Sequence, residues 1–505
     1  MYMKVPSIKK KPLRVLFVGA EAAPFVKVGG LGEVLRALPK ALRELDCDAR
    51  VFLPKYSVVD VKEYPMKTVV ERLKVASKEE DPQGILISNV LEYVGEDKGI
   101  AYFLENMECF EKRANVYGYV DDTMRWMLLS RSVLEFVKRS KWKPDFIIAN
   151  DWQTGFVPNL MKVDYKDDPV IKEIGSVFCI HNLRYQGSFD PSFVPEMDAD
   201  SGQKDLPPFF TEMKYLNGMR RGILYADQIV TVSPTYAHEI LSEEYGEGLD
   251  AVLQERRGNL TGIMNGIDAE RFDPMTDPSV SSHYNAHHVN ARALNKLTLQ
   301  KRYGLKEDEE IMVIGYNGRL ADQKGISLIQ EVIVSLLDNL AFQFVVLGDG
   351  DSKYKTFFKK LAEDYPGRVG VYLEFDDELP RLIYAGADAV LVPSRFEPAG
   401  LVQLEAMRYG AIPIVRKTGG LADTVTDFDP RHAKGTGFVF EKFDSQALLV
   451  TIVRAYESYR NPREWMHLVE RAMGQDFSWK SSARKYIALC RRLKGGNKAE
   501  GEGLD

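Results

Sequence analysis

The chain has 505 residues, 45% apolar and 28% charged, an ordinary globular balance but more chain than one hydrophobic core usually supports. Its 67 basic and 73 acidic residues are spread along the whole length and leave a net charge of −6, which excludes the basic footprint of a nucleic-acid-binding protein. Four scattered cysteines with no C-x-x-C pair argue against a disulfide framework or a structural zinc site and point to a reducing, cytoplasmic setting.

Residues 1–12 are basic but lack the apolar run of a signal peptide. No segment approaches the ~18 uninterrupted apolar residues of a membrane span, so no membrane partner is expected. From Leu13, LRVLFVGA reads as a buried strand. Leu31, Val34, Leu35, Leu38, Leu42 and Leu45 then fall on one helical stripe, the opening of a doubly wound sheet. Further strand-length runs start at Asp145 (DFIIAND), Gly175 (GSVFCIHN) and Gln228 (QIVTVSP). The stretch from Asp268 to Leu305, polar at first and helical from ARALNKLTLQKRYGL, reads as a connection. A second series of buried strands begins at Ile311, Phe342, Arg368, Ala387 and Ala411. Two such series predict two Rossmann-like domains, 13–265 and 266–475, facing each other across a deep cleft, with the chemistry at strand C-termini. The glycine-rich, charged segment 495–505 reads as a disordered tail.

Charged residues at predicted strand ends mark the chemistry. Lys27-Val-Gly-Gly-Leu31 joins the first strand to the first helix, where the backbone of Gly29, Gly30 and Leu31 and a cation at the lip suit an anion such as a diphosphate. A tight turn is the alternative. Arg319 and Lys324 follow a second-series strand and would neutralise a leaving diphosphate without a metal ion. In Ser394-Arg-Phe-Glu-Pro-Ala-Gly-Leu-Val-Gln-Leu-Glu405 a helix starting near Gly400 would put Glu405 on its second turn and leave Glu397 in the loop before it. The N–H groups of Gly400 and Leu401 would then meet a phosphate while Glu397 meets a sugar. Asp349-Gly-Asp351 fits a metal-binding D-x-D pattern, but a pattern so short arises by chance. His283, His287 and His288 lack a nearby glutamate or cysteine ligand and read as solvated linker, so no metal is expected.

These motifs, together with N-D-W-Q at Asn150, H-N-L at His181, K-T-G-G-L-A-D at Lys417 and D-F-S-W-K at Asp476, resemble in order and spacing those of bacterial glycogen synthases and plant starch synthases, from about Leu13 to Leu493. The resemblance implies the GT-B fold, with a C-terminal helix over 476–494 crossing back to the N-terminal domain. It implies transfer of glucose from ADP-glucose or UDP-glucose to the non-reducing end of an α-1,4-glucan, glycogen or a maltooligosaccharide, with retention of configuration and no cofactor or metal. Carried over, Glu397 supports the transferring glucose, Arg319 and Lys324 grip the diphosphate, and His181 places its carbonyl or imidazole beside the anomeric carbon. Asp151 and Asn182 orient sugar hydroxyls. Lys27, Gly29, Gly30 and Leu31 meet the donor, and Phe375 stacks on the base unless it is a core residue. Glu21 and Tyr117 attend the acceptor.

Four positions depart from the family pattern, one of them Glu33, where aspartate is usual. Ala399 replaces a cysteine, Val402 a phosphate-binding threonine, and Glu405 a tyrosine, although a second glutamate is usual among wider retaining GT-B transferases. Two alternatives therefore stand beside the glucan reading: a retaining transferase with a small sugar or sugar-phosphate acceptor, and a nucleotide-sugar hydrolase or epimerase.

Overall fold

The run Arg14–Val18 is apolar on both faces and forms a strand with four of its residues buried, so it must lie inside a covered sheet. In the computed structural model, which describes residues 11–77, 84–187, 194–211, 213–376 and 378–499, it is the centre of the first of two sheets. The chain divides into two compact units. Unit 1 comprises the chain up to Val232, Ala237–Ile263 and the C-terminal segment from Trp479; unit 2 comprises Ser233–Tyr236 and Met264–Ser478.

Unit 1 holds β1 (Arg14–Val18), β2 (Asp48–Pro54), β3 (Lys67–Ala76), β4 (Ile85–Val94), β5 (Ile100–Glu105), β6 (Phe146–Asn150), β7 (Gly175–Ile180), β8 (Gln228–Thr231) and β9 (Leu260–Gly262), in the order β3-β4-β5-β2-β1-β6-β7-β8-β9. All neighbours pair in parallel except β3 with β4 and β4 with β5. Strand order reverses direction between β1 and β6, so the crevice at their C-terminal ends is the switch point where doubly wound sheets bind ligands. The helix Gly30–Arg43 buries Leu31, Val34, Leu35, Leu38 and Leu42 as the stripe requires, each burial worth about 1.5–3 kcal/mol. Leu45 lies past its end.

The C-terminal helix Trp479–Ala499 belongs to unit 1 and packs on Gly30–Arg43. Tyr486 of that helix reaches Cys179 of β7 (3.6 Å), and Lys494 Nζ donates to Asp145 Oδ1 (2.7 Å). The tail expected from 495 is helical up to Ala499, because extending a formed helix fixes one residue for each hydrogen bond gained and tolerates Gly495 and Gly496. Residues 500–505, like 1–10 of the N-terminal extension, lie outside the described residues.

Unit 2 holds β10 (Met312–Asn317), β11 (Phe342–Leu347), β12 (Val369–Tyr372), β13 (Ala389–Val392), β14 (Ile412–Arg416) and β15 (Phe438–Phe440), all parallel, in the order β12-β11-β10-β13-β14-β15. β11 and β13 are buried along their whole length. Here the order reverses between β10 and β13, whose C-terminal ends carry Arg319 and Lys324 on one side and Ser394 to Glu397 on the other. The connection belongs to unit 2 and turns helical at Arg292–Arg302. Among the described residues no helix is long and apolar enough to cross a membrane.

Candidate functional site

At the unit 1 switch point the loop after β1 is built around Glu21, which is only 3% exposed. Its Oε2 accepts the N–H groups of Val28 (2.5 Å) and Gly29 (2.9 Å), and its Oε1 accepts the Tyr117 hydroxyl (3.0 Å). The Gly29 amide therefore faces Glu21 rather than an anion, a correction to the sequence reading: an otherwise lone buried carboxylate takes the nearest free donors. Gly30 and Leu31 remain as the first two residues of a 14-residue helix with no side-chain cap. The Leu31 side chain is in the core, so only its backbone can serve a ligand. Lys27 is half-exposed and pairs with Glu33 (3.1 Å). Burial pushes the Glu33 carboxyl up, but Arg36 and Lys27 outweigh it and hold it below its ordinary value.

Beyond β6, Asp151 adopts φ +56° with ψ −180°, a region populated almost only by glycine, so its surroundings must hold it there. Its carboxylate accepts the N–H groups of His181 (2.8 Å to Oδ1) and Asn182 at the end of β7. Burial nevertheless pushes its carboxyl up to about 7, and the neighbouring Glu21 adds to the rise. Burial likewise brings the His181 imidazole down to about 4, against the pull of Glu21.

The tautomer of His181 follows from hydrogen bonding. Asn150 Nδ2 donates to the carbonyls of Val18 (2.9 Å) and Ile148 (3.1 Å), so its Oδ1, 2.9 Å from His181 Nε2, must accept. Nε2 carries the proton and the ring is neutral at physiological pH. Asn182 spends its Oδ1 on the Arg184 N–H (3.1 Å), which fixes the turn after His181.

The two titrations have opposite signs. The raised Asp151 contributes stability that is full below its unfolded value of about 4 and is lost as pH rises through about 7. The lowered His181 contributes stability that is full above about 6.5 and is lost as pH falls toward about 4. Between about pH 4 and 6.5 the two slopes oppose each other, so Asp151→Asn, which removes the falling one, is expected to make the melting temperature rise more steeply with pH across that window in calorimetry, and the His181 ring NMR signals are expected to shift only well below pH 6. An unchanged pH dependence, or a ring that titrates near neutrality, would contradict the burial assigned to each.

In unit 2, Glu397 is 8% exposed and follows β13. Its Oε2 accepts Lys324 Nζ (2.6 Å) and Ser394 Oγ (2.8 Å), while Oε1 has no hydrogen-bond partner among the described residues. The two loops are stitched together. Arg395 N–H donates to Gln323 O (2.8 Å), Gln323 Nε2 to Phe396 O (3.3 Å), and Gly325, at φ +74°, lies so close that a Cβ would come 2.0 Å from Pro393 O. Arg319 is exposed and held by Gln323 Oε1 (3.1 Å). Arg319, Lys324 and Glu397 thus share one strand-end region, two cations beside one carboxylate.

The helix expected near Gly400 begins at Val402 instead, with Gly400 at φ +64° and Leu401 as its cap, so Glu405 falls in the first turn and not the second. A left-handed residue cannot belong to a right-handed helix, which sets the later start. The Gly400 and Leu401 amides have no partner among the described residues. Glu405 accepts the Tyr384 hydroxyl, which in turn accepts Asn317 Nδ2 (2.7 Å) at the end of β10. Phe375 is 81% exposed in the loop after β12, which excludes the core reading and leaves an aromatic face open.

Three contributors were not assigned from sequence: Ser394, Asn150, and the glycine pair Gly419-Gly420. All three lie inside motifs already quoted, and a hydroxyl, an amide and two glycines beside charged residues were the only signal. The D-x-D residue Asp349 pairs with Lys355 (2.7 Å), and His283 Nε2 contacts Asp277 O (3.1 Å). Among the described residues no group of three His, Cys, Asp or Glu side chains is placed to hold a metal ion.

Two Rossmann-like units, each with charged or polar groups at its own switch point, define a glycosyltransferase of the GT-B class. The starch synthase catalytic domain family matches residues 14–255, and glycosyl transferases group 1 matches 296–467. The chain is 40% identical over 489 residues to the glycogen synthase of Clostridium beijerinckii, covering 96% of this chain and 100% of that one. It is 41% identical over 485 residues to that of Geobacillus stearothermophilus, covering 95% and 98%. Among solved structures, the catalytic domain of starch synthase IV from Arabidopsis thaliana, bound to ADP and acarbose, superposes with a TM-score of 0.81 at 32% identity over 95% of this chain and 99% of that one. The chain belongs to the glycogen and starch synthase family.

Proposed function

We propose that the chain transfers glucose from ADP-glucose or UDP-glucose to the non-reducing end of an α-1,4-glucan, with retention of configuration and without a metal ion. The observation that carries this is Glu397: a nearly buried carboxylate anchored through one oxygen by Lys324 and Ser394, with the other oxygen unpartnered among the described residues. Such a group is pre-organised to meet positive charge developing on a sugar. Arg319, Lys324 and the Gly400 and Leu401 amides take the diphosphate, and Phe375 offers a face for the base. In unit 1, the strand-end groups that the family resemblance assigns to the sugar are a neutral His181, which would bring no cationic charge to an anomeric carbon, and Asp151. A departing phosphate oxygen takes the acceptor proton, so bond breaking and bond making share one face of the sugar. Glu405, which favoured a small acceptor, is engaged by Tyr384 and lends that alternative no support.

The test supplies labelled ADP-glucose and UDP-glucose in turn with glycogen, maltose, glucose 6-phosphate or water. Expected is an α-1,4-extended glucan from glycogen and maltose; free glucose or a sugar-phosphate conjugate as the main product would overturn the reading. Activity should persist after exhaustive chelation. Loss under chelator that magnesium restores would return Asp349 and Asp351 to the site.

A further inference from the structure

Gln403, in the first turn of the helix Val402–Arg408, is a polar side chain with no exposed surface. Its Nε2 donates back to the carbonyls of Gly400 (2.9 Å) and Ala399 (3.3 Å). It also lies 3.2 Å from Thr424 Oγ1, whose own proton goes to Gly420 O (2.6 Å). All three neighbours accept, so this end of the amide must be the nitrogen. Oε1 is buried and has no hydrogen-bond partner among the described residues. A residue kept for stability alone is poorly served by a buried, unpaired acceptor, and such groups in folded proteins call for another use.

That use follows from peptide geometry. A trans peptide unit is planar, with its C=O and the following N–H pointing in opposite directions. Drawing the Ala399 carbonyl toward Gln403 turns the Gly400 N–H away from it, and drawing in the Gly400 carbonyl turns away the Leu401 N–H. Neither carbonyl has another partner among the described residues, and the two amides have none. The direction of this amide pair therefore comes from the Gln403 side chain and not from the seven-residue helix that follows. Glycine at 400 is required twice over, for φ +64° and because a Cβ there would come 2.5 Å from Gln403 Oε1. Val402 brings no hydroxyl to a phosphate, so the contact this turn can make falls on its amides.

We infer that Gln403 is a positioning residue for the donor: it holds the Gly400 and Leu401 N–H groups toward the diphosphate of the nucleotide sugar without touching it. This role rests on the donor reading proposed above and deepens it. The test is full-length Gln403→Met, which keeps the length of the side chain and removes its donor. ADP and UDP are titrated calorimetrically, KM is measured for donor and for glycogen, and the melting temperature of each preparation is recorded.

Expected is a rise of roughly tenfold in donor KM and in the Kd of whichever diphosphate the wild type binds, the loss of about one hydrogen bond to a charged group, with glycogen KM unchanged. A lowered melting temperature with unchanged Kd would make Gln403 purely structural and overturn the inference. An equal rise in glycogen KM would mark distortion of the whole site and overturn it too. Should Gln403→Met not fold, Thr424→Val, which removes one acceptor holding the Gln403 amide, decides in its place: a rise of about threefold in the same Kd supports the role, and an unchanged Kd overturns it. If the wild type binds neither ADP nor UDP, the proposed function fails by itself. A crystal structure of the folded variant then still decides the role of Gln403: Ala399 and Gly400 carbonyls turned outward support it, and carbonyls left in place overturn it.

Discussion

Glu397→Gln is expected to lower kcat by at least ~100-fold while leaving the melting temperature nearly unchanged. The amide keeps the shape of the side chain and can still accept from Lys324 and Ser394, so the loop after β13 holds its geometry. What is lost is the negative charge facing the sugar, which for a pre-organised group in a water-poor site is worth about 3–4 kcal/mol in the transition state. Ground-state binding of the donor should change far less, since the diphosphate is addressed by cations and amides, so the loss should fall on kcat with donor KM within a few-fold. Glu397→Ala is the harsher control, because it leaves Lys324 without its partner; the Lys324 side chain remains 22% exposed, so water can take over part of that loss. Steady-state kinetics with glycogen, beside calorimetry of the same preparations, separates the two effects. Turnover near that of the wild type in a folded Glu397→Gln protein would remove this residue from the chemistry.

How much of this was legible beforehand depended on burial on both faces. β1, β6, β7, β10, β11 and β13 are near-continuous apolar runs because parallel strands are covered above and below, and each was read as a strand. The ribbon β3–β4 was not: Lys67–Ala76 is mostly exposed and pairs antiparallel, so its residues alternate with solvent. β9 and β15 are three residues long, too short for any period to show. In the site, charged residues at strand ends were legible because a carboxylate or an ammonium there has few structural uses. The direction of the Gly29 amide was not, since it is set by Glu21, eight residues earlier in sequence, through a turn whose shape no local pattern encodes.

The contact between Gly419-Gly420 and the Glu397 loop was equally invisible, being backbone on backbone, and it yields the second large effect. Gly420→Ala is expected to lower kcat by ~100-fold, the loss that a misplacement of about 1 Å can bring. Gly420 N–H donates to the carbonyls of Glu397 (3.1 Å) and Pro398 (3.2 Å), and a Cβ on Gly420 would lie 1.7 Å from Ala399 O. No rotamer can relieve a clash between a Cβ and a carbonyl, so one backbone must retreat by roughly 1.5 Å to recover a normal C···O separation near ~3.3 Å. The helix Gly419–Thr424 is pinned from its far end: Asp423 accepts Ser233 Oγ (2.5 Å), Thr235 N–H (3.0 Å) and Thr235 Oγ1 (2.7 Å). The displacement therefore falls on Glu397 to Ala399, at an overpacking cost of about 1–3 kcal/mol in stability. A folded Gly420→Ala protein with wild-type kcat would show that the helix yields freely and that Glu397 does not depend on it for its position.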